Sequence, residues 1–90
     1  MKSKRNKIEI RYHGGDKYWF MNNELHREGG PAIERNNGVK EWWVNSRLHR
    51  EDGPAIECTN DVKFWFLNGI EYTEQEYKIQ LRLIKLERIL

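Results

Sequence analysis

The chain has 90 residues and a mass of 11.0 kDa, enough for one small domain and no second core. Hydrophobic residues at 38% and charged residues at 33% describe a soluble domain short of core material, a composition that favours an oligomer or a bound partner. The single cysteine, Cys58, excludes an internal disulfide framework; no apolar run reaches the ~18–20 residues that cross a bilayer, and the opening MKSKRNK lacks the apolar stretch of a signal peptide.

Residues 1–7 form a basic tail, residues 8–72 a set of repeats, and residues 73–90 a helix, all within one domain. Four of the 16 basic residues, Lys2, Lys4, Arg5 and Lys7, precede Ile8, which leaves 12 against 14 acidic residues in the body. Nucleic-acid binders carry a basic face because phosphate neutralisation supplies much of their affinity. The body is not built that way.

Self-comparison yields the strongest signal. LHREGGPAIE (Leu25 to Glu34) recurs as LHREDGPAIE (Leu48 to Glu57), an offset of 23 residues. The same offset lays Lys17–Asn22 on Lys40–Asn45 and on Lys63–Asn68, so the units are Ile10–Ala32, Ile33–Ala55 and Ile56 onward. A fixed period of this size means stacked supersecondary units with a shared core. Each unit reads as a hairpin: Ile8–Tyr12 with Lys17–Met21, Ile33–Arg35 with Lys40–Val44, and Ile56–Cys58 with Lys63–Leu67. Gly14-Gly15, Asn37-Gly38 and Asn60-Asp61 tolerate positive φ and suit two-residue type I′ turns. A second turn follows at Asn22-Asn23, Asn45-Ser46 and Asn68-Gly69. The Gly-Pro-Ala steps at Gly30 and Gly53 then lead into the next unit, each proline falling at a strand start. The predicted fold is mainly β, a meander of three stacked hairpins closed by one long C-terminal helix. Period-2 alternation places Trp19, Trp42 and Trp65 in one column, expected to be the repeat core, with Tyr18/Phe20, Glu41/Trp43 and Phe64/Phe66 on the other face.

The aromatic strand, the Asn-Gly-like turn and the LHRxxGPA string over residues 10–72 resemble a repeat abundant in bacteriophage and giant-virus proteins, similar in form to the MORN hairpin repeat. That resemblance implies a viral origin, a hairpin stack and no shared catalytic motif. It also implies a link to membrane lipids or scaffolding, the roles associated with MORN proteins.

Few residues point to chemistry. His13, His26, His49 and Cys58 are possible metal ligands, but no two have the spacing of a zinc motif, so no metal or cofactor is expected. One catalytic site does not need its residues once per repeat. His26-Arg27 and His49-Arg50, each beside a carboxylate, are therefore read as structural, bonding carbonyls and tying hairpin to hairpin.

Thr73-Glu74-Gln75-Glu76 is a capping box that opens a helix from about Glu74 almost to Leu90. Ile79, Leu83, Leu86 and Leu90 fall on one narrow stripe with 4-3-4 spacing; Tyr77, Leu81 and Ile84 fall nearly opposite. A surface helix ordinarily has one apolar stripe. Here one stripe is expected to cover the hairpins and the other to meet a second protein surface, with Ile79, Leu83, Leu86 and Leu90 joining two copies in a homodimer.

The function expected is a non-enzymatic protein-binding module of phage origin, acting in the host cytoplasm as a steric inhibitor of a bacterial antiviral defence complex, as an anti-CRISPR protein does. The alternative is a small scaffold that binds nucleic acid or a membrane surface through the basic tail with Lys78, Arg82 and Lys85.

Overall fold

Two kinds of turn set the course of the chain. In the computed structural model, which describes residues 6–90, Gly14-Gly15, Asn22-Asn23, Asn45-Ser46 and Asn68-Gly69 all have both residues at positive φ. These are the two-residue turns whose twist matches that of the flanking strands. At Asn37-Gly38 and Asn60-Asp61 only Gly38 (φ 92°) and Asp61 (φ 66°) are left-handed. There Arg35 and Val39, and Cys58 and Val62, close the loop through amide-to-carbonyl bonds of 2.9 Å. The Gly38 amide also donates to the Arg35 carbonyl at 2.9 Å, the signature of a type I turn ending in a left-handed bulge residue. The type I′ expectation at these two sites is corrected accordingly. Asn37 and Asn60 act there through their side chains, accepting from the Val39 and Val62 amides at 3.1 and 3.3 Å.

The strands follow from these turns. The first unit holds β1 (Ile8–His13), β2 (Asp16–Met21) and β3 (Glu24–Leu25). The second holds β4 (Ile33–Glu34), β5 (Lys40–Glu41), β6 (Trp43–Val44) and β7 (Arg47–Leu48). The third holds β8 (Ile56–Glu57), β9 (Lys63–Leu67) and β10 (Ile70–Tyr72), and α1 (Glu74–Ile89) follows. The main antiparallel sheet runs β1-β2-β4-β5-β8-β9-β10, with β3 beside the far half of β2 and β6-β7 as a separate ladder. Trp42 interrupts the second unit's long strand, its amide donating to the Ala55 carbonyl at 2.7 Å.

The turn difference carries a register consequence. Ile33 faces Glu41 and Ile56 faces Phe64, whereas Ile10 faces Trp19 rather than Tyr18. A one-residue slip flips every side chain to the other face. The first unit's opening strand is thus one residue out of step with the 23-residue repeat, and Ile10 is not the structural equivalent of Ile33 and Ile56.

The core lies on both faces. Ala32, Ala55, Leu67, Ile33, Tyr77 and Trp19 are its buried apolar residues, while Trp42 and Trp65 are only half-buried. The column opposite the tryptophans contributes to this core, for it holds Ile33 and the buried carboxylate of Glu41. Glu41 accepts from Arg35 Nε at 2.6 Å and from the Trp43 indole at 3.0 Å. Arg35 reaches on to Asp16 at 3.4 Å, and Asp16 accepts the Asn36 amide at 2.6 Å, which pins the first hairpin to the second. A buried carboxylate persists because each of its oxygens is paired.

Thr73 caps α1 as read from sequence, accepting from the Glu76 amide at 3.2 Å while Glu76 accepts the Thr73 amide at 2.9 Å. The helix packs against β9 and β10. Among the described residues no helix is long and apolar enough to cross a membrane. Of the basic tail, Lys2, Lys4 and Arg5 lie outside the described residues.

Gly38→Ala tests the turn assignment. A Cβ there would sit 2.6 Å from the Thr59 methyl group at a left-handed φ, so the variant is expected to lose about 1–2 kcal/mol or more by urea denaturation. A loss of a few tenths would contradict the bulge geometry.

Candidate functional site

The repeated LHRE segments lie where consecutive units meet. Each returns from a type I′ turn, and His26 and His49 donate their amides to the Trp19 and Trp42 carbonyls at 3.1 Å. The arginine that follows folds back over its own unit. Arg27 lies 3.7 Å above the Trp19 ring and Arg50 3.7 Å above the Trp42 ring. Their Nη1 groups donate to the carbonyls of Pro31 and Pro54 at 3.1 and 3.0 Å. Each arginine thus clamps the Gly-Pro step onto the indole face. A Cβ at Gly30 or Gly53 would come within 2.9 or 2.8 Å of the guanidinium carbon, so a side chain there would push the arginine from this position.

The histidines tie one unit to the next. His26 Nδ1 accepts from the Asn45 amide at 3.1 Å, and His49 Nδ1 from the Asn68 amide at 2.9 Å. A ring nitrogen that accepts carries no proton, so Nε2 is the protonated one in the neutral ring. His49 Nε2 donates to Glu51 at 2.9 Å. Among the described residues His26 Nε2 is buried without a hydrogen-bond partner, with Glu28 3.7 Å away and 87% exposed. The two corners differ because Glu51 is held by the helix: Arg88 donates to both its oxygens at 2.7 and 2.6 Å, and among the described residues Glu28 has no such clamp. A groove of about 660 Å³ runs between the two corners, with Trp42 and Val44 in its wall.

The third unit has no LHR segment, and Tyr77 of α1 fills the gap. Its ring centroid lies 4.9 Å from that of Trp65, tilted by 52°, and its hydroxyl donates to the Arg50 carbonyl at 2.6 Å. Burial pushes the phenol pKa up. Trp19, Trp42 and Trp65 are each covered by a side chain that arrives later in the chain.

The helix stripes separate cleanly. Tyr77 is buried and Leu81 and Ile84 half-buried against the repeats. Ile79, Leu83, Leu86 and Leu90 are exposed, from 47% at Leu83 to 101% at Leu90. Ile89, absent from the sequence reading because it sits at the edge of the seam, is exposed too and lines a shallow groove with Lys78, Leu81, Arg82, Lys85 and Leu86. Arg88 was also missed: its partner Glu51 is 37 residues away, beyond the reach of any local pattern. His13 is exposed at the end of β1 and Cys58 is a half-buried free thiol. Among the described residues, no three His, Cys, Asp or Glu side chains group closely enough to hold a metal ion.

Two predictions follow from these contacts. Trp42→Ala removes the ring beneath Arg50 and is expected to cost about 3 kcal/mol; Arg50→Ala, which leaves the ring uncovered, costs about 1–2 kcal/mol. Urea midpoints measure both, and an unchanged midpoint for either would contradict the clamp. The second concerns pH. The Arg88 guanidinium, aided by His49 and opposed by burial, lowers the Glu51 carboxyl from 4.5 to about 2. A folded-state pKa below the unfolded one gives stability that is complete above about pH 4.5 and lost as pH falls toward 2. Arg88→Ala should therefore melt below the wild type at pH 6, with the difference shrinking through that window. A difference independent of pH would place the effect elsewhere.

Compared with known families, characterised proteins and solved structures, the chain matches none of them.

Proposed function

We propose that the chain is a non-enzymatic protein-binding module that acts sterically, setting the seam of α1 against a bacterial antiviral defence complex in the manner of an anti-CRISPR protein. The observation that carries the binding role is the seam itself. Ile79, Leu83, Leu86 and Leu90 stand in water on a helix whose opposite stripe is already docked. Covering an apolar side chain is worth about 1.5–3 kcal/mol, and an exposed apolar stripe rimmed by charge is the usual form of an interaction surface. Lys78, Arg82 and Lys85 supply one rim; Glu76 and Glu87 supply the other. The non-enzymatic reading is supported by the work the repeated histidines and arginines already do: both Nδ1 atoms accept backbone amides, and both guanidinium groups lie on indole rings. The choice of a defence complex rests on the likeness of the LHRxxGPA segments to phage repeats.

The 4-3-4 spacing supports a second reading, in which the seam joins two copies of the chain. Leu83→Glu/Leu86→Glu tests both. Its side chains point to solvent, so it should fold with a change within about 0.5 kcal/mol per site. In bacteria carrying a defined CRISPR-type defence, the wild type is expected to raise phage plating and the folded double variant to leave immunity intact. Equal plating with and without either protein would refute the target. Light scattering addresses the second reading directly, since a smaller assembly in the double variant than in the wild type would assign the seam to self-association.

A further inference from the structure

The strands that open the second and third units are both enclosed. β4 lies between β2 and β5, and β8 between β5 and β9. β1, which opens the first unit, is paired with β2 on one side, and among the described residues nothing pairs with its other side. It is six residues long, and a long open edge is a template for another strand.

The backbone of β1 has a defined phase. The Lys7 carbonyl accepts from the Asn22 amide at 2.8 Å. Antiparallel strands alternate between residues that bond to the neighbour and residues that do not. Lys7, Glu9, Arg11 and His13 therefore direct their amides and carbonyls at β2, and Ile8, Ile10 and Tyr12 direct theirs outward. The same three side chains are exposed, from 45% at Ile10 to 71% at Tyr12, and share the face of Trp19 and Met21. Glu9 and Arg11 occupy the opposite face and contact each other at 3.3 Å within the strand.

We propose that β1 is a self-association edge, taking the β1 strand of a second copy antiparallel to itself with Ile10 opposite Ile10 of the copy. In this register Ile8 opposes Tyr12 of the copy, and Glu9 opposes Arg11 of the copy. The opposed residues on the apolar face are those with outward amides and carbonyls, so the ladder forms in phase. Opposite charges meet directly on the other face, where cross-strand pairs are close enough to interact. Neighbouring registers fail. A shift that keeps the backbone in phase sets Arg11 against Arg11 or Glu9 against Glu9, and a shift of a single residue brings isoleucine against a charge. The arrangement is closed by a two-fold axis, as a self-complementary patch requires. It leaves the helix seam free, and it stands whether or not the seam reading holds.

The experiment uses the Leu83→Glu/Leu86→Glu background, so that the seam contributes nothing. At tens of micromolar, light scattering is expected to show a dimer. Glu9→Arg and Arg11→Glu each place like charges opposite one another and should give monomers, while the double swap Glu9→Arg/Arg11→Glu restores the dimer. Ile10→Pro removes only the outward amide, a change an edge strand tolerates, and should give a folded monomer by circular dichroism. A monomer before any β1 substitution, or a dimer indifferent to the single swaps, overturns the proposal. A second measurement uses the otherwise intact chain with Cys58→Ser. Ile10→Cys should form an oxidised covalent dimer, because facing Cα atoms in a bonded pair lie about 5.5 Å apart, within disulfide range. Tyr12→Cys should not, since its Cα would lie about 14 Å from the same position of the copy, four residues along and one strand across. Equal cross-linking of the two variants, or none by Ile10→Cys, refutes the register.

Discussion

A guanidinium laid on an indole is the contact on which the architecture depends. Arg27 on Trp19 and Arg50 on Trp42 do more than cover a ring. Each arginine reaches the carbonyl of the proline that leads into the next unit, so the side chain that shields one strand also fixes the entry of another. A 90-residue chain in which six of the ten described strands are two residues long has little apolar volume to bury. Flat cationic stems over aromatic faces supply packing where aliphatic core is scarce, since arginine buries its stem while its charged head stays hydrogen-bonded.

The same logic explains how the array ends. No LHR segment follows Trp65, and the helix supplies Tyr77 where the arginine of such a segment would lie. Its hydroxyl bonds the carbonyl of Arg50, the residue that clamps the preceding unit. At the other end of the helix Arg88 grips Glu51, one residue after Arg50. The helix is therefore held at both ends to the same corner of the second unit. This double attachment decides which stripe faces inward and leaves the other in water. At the opposite end of the sheet, β1 has no counterpart to this cover among the described residues, and its outward backbone groups are unpaired among them.

Polar groups set the order of the units as much as apolar ones. The Asp16–Arg35–Glu41 chain and the two histidine-to-amide bonds each cross a unit boundary. Such groups cost free energy when buried alone and hold a single arrangement when paired. His26 Nε2 shows the difference between neighbouring copies of one motif: among the described residues nothing clamps Glu28, and the bond made by His49 has no equivalent.

The fold was legible where local interactions decide it. The 23-residue period, the antiparallel hairpins and the Thr73 capping box depend on residues close together in the chain, and alternation, turn residues and caps report on such neighbours. The helix stripes were legible as stripes. Which of them docks was not, because two faces of similar apolarity differ only in how Tyr77 fits against Trp65 and where Arg88 finds Glu51. Repetition itself misled in one place. The 23-residue offset aligns Ile10 with Ile33 and Ile56, yet the Gly14-Gly15 turn is one residue tighter than its counterparts and turns β1 over. Asn37-Gly38 and Asn60-Asp61 suited either hairpin turn, and the choice fell to strand pairing on both sides. Local sequence determined the elements and their caps, because those bonds close within a few residues. Tertiary structure decided register, the inward face of the helix and the open edge of β1, because each depends on partners the chain meets only after it has folded.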